Sequence, residues 1–301
     1  MRTILGIIFL VISSTLCMAQ AMLEYKLEKN DVFTIKQDAH QVITQELDGA
    51  THELTNSING ILEFKVLTDS DSVYDIELTF KDLNLLMISS IQGELINVKA
   101  NEVHADDMQS QIFNSLLNRP VKMVLAKTGN ILGVKGGDSL VAKMAEASGL
   151  EDEFSLNMMK KSLEKEFGSE ALSNSYKQMT FIYPLKKVKI GDSWENEYSG
   201  KLNTRNIWTL IALSKDNASI SGTADVTMDV TELTTTMKLS GTQNTQITTD
   251  LSSGFIQKMT VKGLSKGTST LAQMGDQEIP TTIESTTSYE LVNELTEPIN
   301  N

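Results

Sequence analysis

Cysteine is almost absent from this sequence: the single one, Cys17, lies within the first twenty residues. If that segment is removed, the remaining chain has no thiol, which excludes disulfide bonds, cysteine-ligated metals and cysteine nucleophiles. Stability must then come from an ordinary hydrophobic core. The chain is long enough to build one, since proteins of this size bury about 75% of the surface that they expose when unfolded.

Positive charge is also scarce, with 26 Lys and Arg against 39 Asp and Glu and a net charge of −13. A field of this sign repels phosphate backbones, so nucleic-acid binding is disfavoured. Beyond residue 20 no apolar run is long enough to span a bilayer. We therefore expect a globular protein with no nucleic-acid partner and no transmembrane segment.

Motifs for catalysis are few. The sequence has no Gly-x-Ser-x-Gly nucleophile elbow, no phosphate-binding glycine-rich loop and no dinucleotide fingerprint. The string Gly137-Asp138-Ser139-Leu140 matches the nucleophile block of a family of esterases and lipases, which take their base from a late Asp-x-x-His. Here the three histidines, His40, His52 and His104, all precede the string. A turn followed by a helix explains these residues better.

One pattern is compatible with a metal site. Glu102, His104 and Asp106 alternate, and on a strand their side chains would face one way. A strand-to-helix junction with a capping acid has the same letters, and we prefer that interpretation. The sequence thus predicts no catalytic residues, no metal and no cofactor, and we expect no enzyme activity.

The N-terminus has the pattern of a secretory signal peptide. Met1 to Thr3 supplies a positive start, Ile4 to Leu16 is largely apolar, and small residues follow to Ala21. We expect residues 1–19 to be the signal peptide, with cleavage after Ala21 as the alternative. The remainder, 20–301, would be a single exported domain, periplasmic or extracellular. A lipid anchor on Cys17 is less favoured because Leu16 precedes it, where lipoprotein signals have Gly, Ala or Ser.

Two regions have the period-two pattern of strands. Leu62, Phe64 and Val66 alternate with charged residues, as do the apolar residues of the run Tyr74–Phe80, and the polar segment 68–72 separates the two runs. This predicts a hairpin in an antiparallel sheet with one wet face. A Thr-rich second region follows Met179. We expect β-rich halves over about 22–135 and 179–295.

Helical spacing is concentrated between about 105 and 178. Asp106 or Asp107 is placed to cap one helix and Asp138 another, and residues 151–153 put negative charge in the first turn of a third. The predicted fold is α+β: a large curved antiparallel β-sheet, an open or half barrel, with the helical segment inserted at about 105–178 and packed on one face.

The two β-rich halves share short strings in the same order. Lys127 to Gly136 resembles Ser252 to Gly263, and Phe64 to Ile76 aligns with Leu210 to Gly222 across a polar turn. An internal duplication and a chance similarity of hairpins both account for this, and the choice between them stays open.

Three strings carry a family resemblance: Tyr25 to Val32, Pro184 to Trp194, and Val261-Lys262-Gly263 through Ile279-Pro280 to Tyr289-Glu290-Leu291. They resemble an uncharacterised family of exported Bacteroidota proteins, over nearly all of the chain after the signal. The resemblance implies export and a single domain but no activity. The order of elements is also similar to that of periplasmic lipoprotein carriers, in which a curved sheet holds helices.

These observations favour a non-catalytic envelope protein that binds an apolar ligand or lipid, such as an acyl chain, between sheet and helices. Methionines suit an adaptable apolar surface. The predicted ligand-binding residues lie on the helical segment: Met108, Phe113, Met144, Met158 and Met159. The alternative is a structural or interaction protein that contacts another envelope protein or a surface polymer through its sheet face.

Overall fold

The computed structural model describes residues 20–292, apart from 48, 201, 232–234, 273–274 and 276. The predicted signal peptide and Cys17 lie outside the described residues. The helices are α1 (Met108–Asn114), α2 (Gly137–Glu146), α3 (Glu153–Phe167) and α4 (Ser169–Thr180). The strands are β1 (Val32–Leu47), β2 (Ala50–Asp69), β3 (Val73–Ser89), β4 (Gly93–Lys99), β5 (Val121–Ala126), β6 (Ile131–Lys135), β7 (Ser193–Tyr198), β8 (Leu202–Leu213), β9 (Asn217–Thr231), β10 (Thr235–Asp250), β11 (Ile256–Leu271) and β12 (Ile279–Val292).

All twelve strands belong to one antiparallel sheet, in the order β6-β5-β3-β2-β1-β12-β11-β10-β9-β8-β7, with β4 beside the second half of β3. The first and last strands pair at its centre, from Thr34 opposite Val292 to Gln45 opposite Thr281. The edges β6 and β7 do not pair with each other, and the chain passes between them through α2, α3 and α4. The predicted α+β fold with a large curved, open antiparallel sheet is confirmed.

The helical segment is more mixed than the sequence pattern indicates, because the hairpin β5–β6 lies between α1 and α2. Asp107 caps α1, its side chain accepting a hydrogen bond from the Gln109 amide, and Asp152 caps α3 in the same way. The prediction that Asp138 caps α2 is wrong. The capping position is Gly136, whose φ of +98° suits glycine, and Asp138 lies in the first turn. There its negative charge still interacts favourably with the positive end of the helix dipole.

Side chains of one sheet face form the core together with the helices. Phe64 of β2 and Tyr176 of α4 make an edge-to-face contact with ring centroids 6.1 Å apart, and Phe80 of β3 meets Phe167 of α3 at 6.2 Å. Gln178 of α4 reaches across to Gln243 of β10. We call this side of the sheet the inner face and the opposite side the outer face.

The N-terminal segment 21–28 closes one end of this core, although its alternation resembles a strand. Ala21 forms an isolated antiparallel bridge with Val188. Further along, the backbone pairs with two turns: the Tyr25 amide donates to Lys127 O at 2.9 Å and the Lys26 amide to Ser253 O at 2.7 Å. Leu23, Tyr25 and Leu27 are buried. The two turns are the ones whose sequences resemble each other, so they hold the segment from both sides.

Candidate functional site

The inner face of the sheet carries almost no charge. Leu62, Phe64 and Val66 face the helices, and the strand pairings extend this assignment to every strand, since side chains alternate between the faces. Among the described strand residues, leaving out the terminal residue of each strand, no inner position holds Asp, Glu, Lys or Arg. His52 is the one histidine there.

Charged side chains of the strands lie on the outer face instead. Lys36 and Asp38 form an ion pair at 3.3 Å on β1, and Arg205 of β8 contacts Glu195 of β7 at 3.0 Å. In β2 the division holds along the whole strand except for its two terminal residues. The inner face is therefore chemically distinct from the surface that faces water.

Helices cover only part of the inner face. Near the N-terminal segment the inner side chains are buried, as Phe64 is at 1% exposure. Toward the other end of β1, β2 and β3, which we call the open end, they are half-buried or exposed. Ile58 of β2 is 37% exposed. Monomeric proteins rarely expose large apolar patches, so the partly exposed Ile58 and Leu85 mark this end as a candidate binding surface.

Two cavities meet on this face, and we call them together the inner groove. One cavity, of about 440 Å³, lies at the open end of the sheet. The other, of about 150 Å³, continues from it beneath the junction of α3 and α4. Both are lined by Ile58, Leu85 and Glu166. The volume of the cavity at the open end alone falls within the usual range of ligand pockets, about 300 to 1,000 Å³. Its remaining lining residues are Ala39, His40, Gln41, Asn56, Ser57, Leu86, Met87, Ile96, Ser285 and Thr287.

The inner end of the groove is aromatic. Tyr176 and Tyr289 line it together with Phe80 and Phe167. Burial raises the pKa of both phenols well above the usual range, and for Tyr176 the nearby Tyr289 raises it further. Both therefore stay protonated at physiological pH.

Apart from Glu166 and His40, the polar groups of the described residues that line the groove are amides and hydroxyls. Asn56 Nδ2 donates to Gln41 Oε1 at 3.2 Å, while Asn56 Oδ1 is buried and accepts no hydrogen bond from the described residues. Ser285 and Thr287 of β12 supply hydroxyls on the other side. The imidazole of His40 is directed to the outer face, where Nδ1 lies 3.1 Å from Ser57 Oγ.

A wider hollow of about 790 Å³ lies on the far side of α3 and α4. Charged residues surround it, among them Asp138, Lys161, Glu164 and Glu170. Such a lining is typical of open, solvated surface, so the smaller inner groove is the better candidate site.

The five residues that the sequence predicts for ligand binding are dispersed, and none is among the residues that line the inner groove. Met144 is fully buried in the core, whereas Met108 and Met158 are 41% and 44% exposed. Phe113 and Met159 are partly buried at the edge of the core, with the Phe113 ring 6.0 Å from that of Phe167, a groove residue. Their role in binding remains a prediction.

The candidate metal residues lie in the segment between β4 and α1. Glu102 forms an ion pair with Lys99 at 3.0 Å, and the His104 amide donates to Ser110 Oγ. Over the described ranges, no group of three or more His, Cys, Asp and Glu is arranged to hold a metal. Within the same part of the chain, no helix combines the length and apolarity needed to cross a membrane.

Comparison with known proteins gives one family. The model of a family of unknown function, DUF6263, matches residues 71–256. No curated protein has a matching sequence.

Several solved structures have some likeness to this chain. One, a structure of lipid–protein interactions in lipovitellin, has 11% identity and a TM-score of 0.49 over 92% of this chain. The chain spans only 26% of that lipovitellin chain. DynF of dynemicin biosynthesis from Micromonospora chersina has 5% identity and a TM-score of 0.25, over 90% of this chain and 84% of its own. An outer membrane channel from Pseudomonas putida F1 has 6% identity and a TM-score of 0.26, over 89% of this chain and 97% of the channel's chain.

Proposed function

This chain belongs to the family of unknown function DUF6263, and we propose that it is a non-catalytic protein that binds an apolar ligand or lipid in the inner groove. The observation that supports this is the absence of Asp, Glu, Lys and Arg from the described inner positions of the strands, terminal residues aside, including the open end that the helices leave uncovered. A sheet face that met only water would gain from charged side chains, as the outer face does.

Ligand binding would explain the composition of the open end. Ile58, Leu85, Met87 and Ile96 line a cavity there, and an acyl chain would remove their apolar surface from water. Each square ångström of apolar surface buried stabilises the complex by about 25 cal/mol. Since these four side chains carry no charge to desolvate, little of that gain is lost.

The groove offers little for catalysis. Its ionisable groups among the described residues are Glu166, His40, directed outward, and two tyrosines that burial keeps protonated. General acid–base catalysis needs a group with a pKa near the working pH, within hydrogen-bond reach of the reacting atom. Binding is therefore the better supported role.

The proposed location is the cell envelope, periplasmic or extracellular. It rests on the signal-peptide pattern of residues 1–19. A groove that shields an apolar ligand from water would suit transport or storage outside the cytoplasm.

A matched pair of substitutions tests the proposal. Ile58 is 37% exposed on the inner face of β2, and Ile88 is 41% exposed on the outer face of the neighbouring β3. We expect the wild type and I88E to bind the neutral dye Nile red, and we expect monopalmitoylglycerol to displace the dye from both. In I58E the added carboxylate lies in the groove, and affinity should fall at least about tenfold, since an unpaired charge is costly to bury.

Equal affinity of I58E and I88E for the dye would show that the ligand does not bind in the groove. A wild-type protein that takes up neither dye nor lipid would instead favour the alternative role, in which the sheet face contacts another envelope protein or a surface polymer.

A further inference from the structure

Among the described residues that line the inner groove, none is a Lys or Arg that could pair with an acidic ligand. The one carboxylate among them, Glu166, is at the junction of the two cavities. A carboxylate or phosphate placed there would lose water without gaining a counter-ion, which is strongly unfavourable. A free fatty acid or a phospholipid headgroup is therefore a poor match for this lining.

Apart from Glu166 and the outward-directed imidazole of His40, the polar side chains of the described lining residues are amides and hydroxyls: Gln37, Gln41, Asn56, Ser57, Ser175, Tyr176, Ser285, Thr287 and Tyr289. Such groups both donate and accept hydrogen bonds, so they pair with hydroxyl, ester and amide groups.

One atom adds a direction to this match. Asn56 Nδ2 already donates to Gln41, but the buried Asn56 Oδ1 accepts nothing from the described residues. A buried acceptor without a donor costs free energy. Asn56 lines the groove, so a shift of its side chain would bring this oxygen to the ligand. A hydroxyl or an amide N–H on the ligand would then satisfy it, whereas an ionised carboxylate has no donor to offer.

Resting on the proposed function, we infer that the ligand of the inner groove is an acyl chain with an uncharged polar end that bears a hydroxyl or amide, and that free carboxylates and phosphates are excluded. Monoacylglycerols and acyl amides have this chemistry.

Two ligands with the same chain separate the possibilities. Isothermal titration of the full protein at neutral pH, with each lipid below its aggregation concentration, compares 1-palmitoylglycerol with palmitate. We expect 1-palmitoylglycerol to bind at least tenfold more tightly. Palmitate binding as tightly or more tightly would overturn this inference and leave the proposed function standing, whereas binding of neither would overturn both.

A charge placed in the groove gives an independent test. Gln41 lines the groove on β1, whereas Asn59 of β2 lies on the outer face and is exposed. Q41K should raise palmitate affinity at least tenfold over the wild type, and N59K, which adds the same charge outside the groove, should leave it unchanged. Equal effects of the two variants, or no gain in Q41K despite an unchanged circular dichroism spectrum, would contradict the inference.

Discussion

Alkaline pH should unfold this protein abruptly, because four tyrosines are buried as neutral phenols. Tyr25, Tyr176, Tyr183 and Tyr289 are between 1% and 6% exposed. For each of them burial is the main cause that raises the pKa above its usual value of 10. In the unfolded chain the same groups ionise near pH 10.

The sign follows from proton linkage. Below pH 10 both states keep the protons and the stability is complete; above it the unfolded state releases protons that the folded state retains. Each such tyrosine lowers the free energy of unfolding by about 1.4 kcal/mol per pH unit, so four together lower it by about 5.5 kcal/mol per unit. A typical stability of about 5 to 15 kcal/mol would be exhausted between about pH 11 and pH 13.

The measurement follows phenolate absorbance and far-ultraviolet circular dichroism in one alkaline titration. We expect most tyrosine ionisation to coincide with loss of the β-sheet signal, and the slope of stability against pH to fall by about a quarter in Y176F. Tyrosines that ionise fully near pH 10 while the sheet signal is unchanged would refute the reasoning.

Two further predictions concern stability in urea. Gly254 and Gly149 have similar positive φ values, but a Cβ on Gly254 would lie 2.1 Å from Glu24 O, whereas nothing lies within 4 Å at Gly149. G254A should therefore cost about 2 kcal/mol more than G149A, and equal losses would contradict the docking of the N-terminal segment. M144A should cost about 2 to 5 kcal/mol, because Met144 is fully buried, and M158A about 0.5 kcal/mol or less. Similar losses from the two methionines would show that the core is misplaced.

Local patterns predict the local parts of this fold. The alternation on either side of residues 68–72 corresponds to the hairpin β2–β3, whose turn spans 70–72, and Asp107 caps α1 as expected. Both signals depend only on neighbouring residues.

Local patterns do not predict which strands pair over long distances in the sequence. The sheet is completed by β1 beside β12, almost the whole chain apart, and short-range periodicity contains no information on such a partner. Segment 21–28 alternates like a strand, yet the amides of Tyr25 and Lys26 donate to the carbonyls of two turns that are distant in the sequence.

The candidate site was missed for a related reason. Methionines at helical spacing indicate apolar helix faces, and Met144 is core. The groove is instead formed by inner positions of several strands, such as Gln41, Ile58 and Leu85, which only strand pairing brings together. The usable signal was the lack of charge at alternate positions, which becomes meaningful once the pairing shows that those positions share one face.

The central claim is that the inner groove holds an apolar ligand, and native mass spectrometry of the protein purified from its own host tests it most directly. We expect a mass above that of the polypeptide, with the excess lost on denaturation and recovered as a neutral acyl lipid. A mass equal to that of the polypeptide alone, together with no uptake of added 1-palmitoylglycerol, would contradict it.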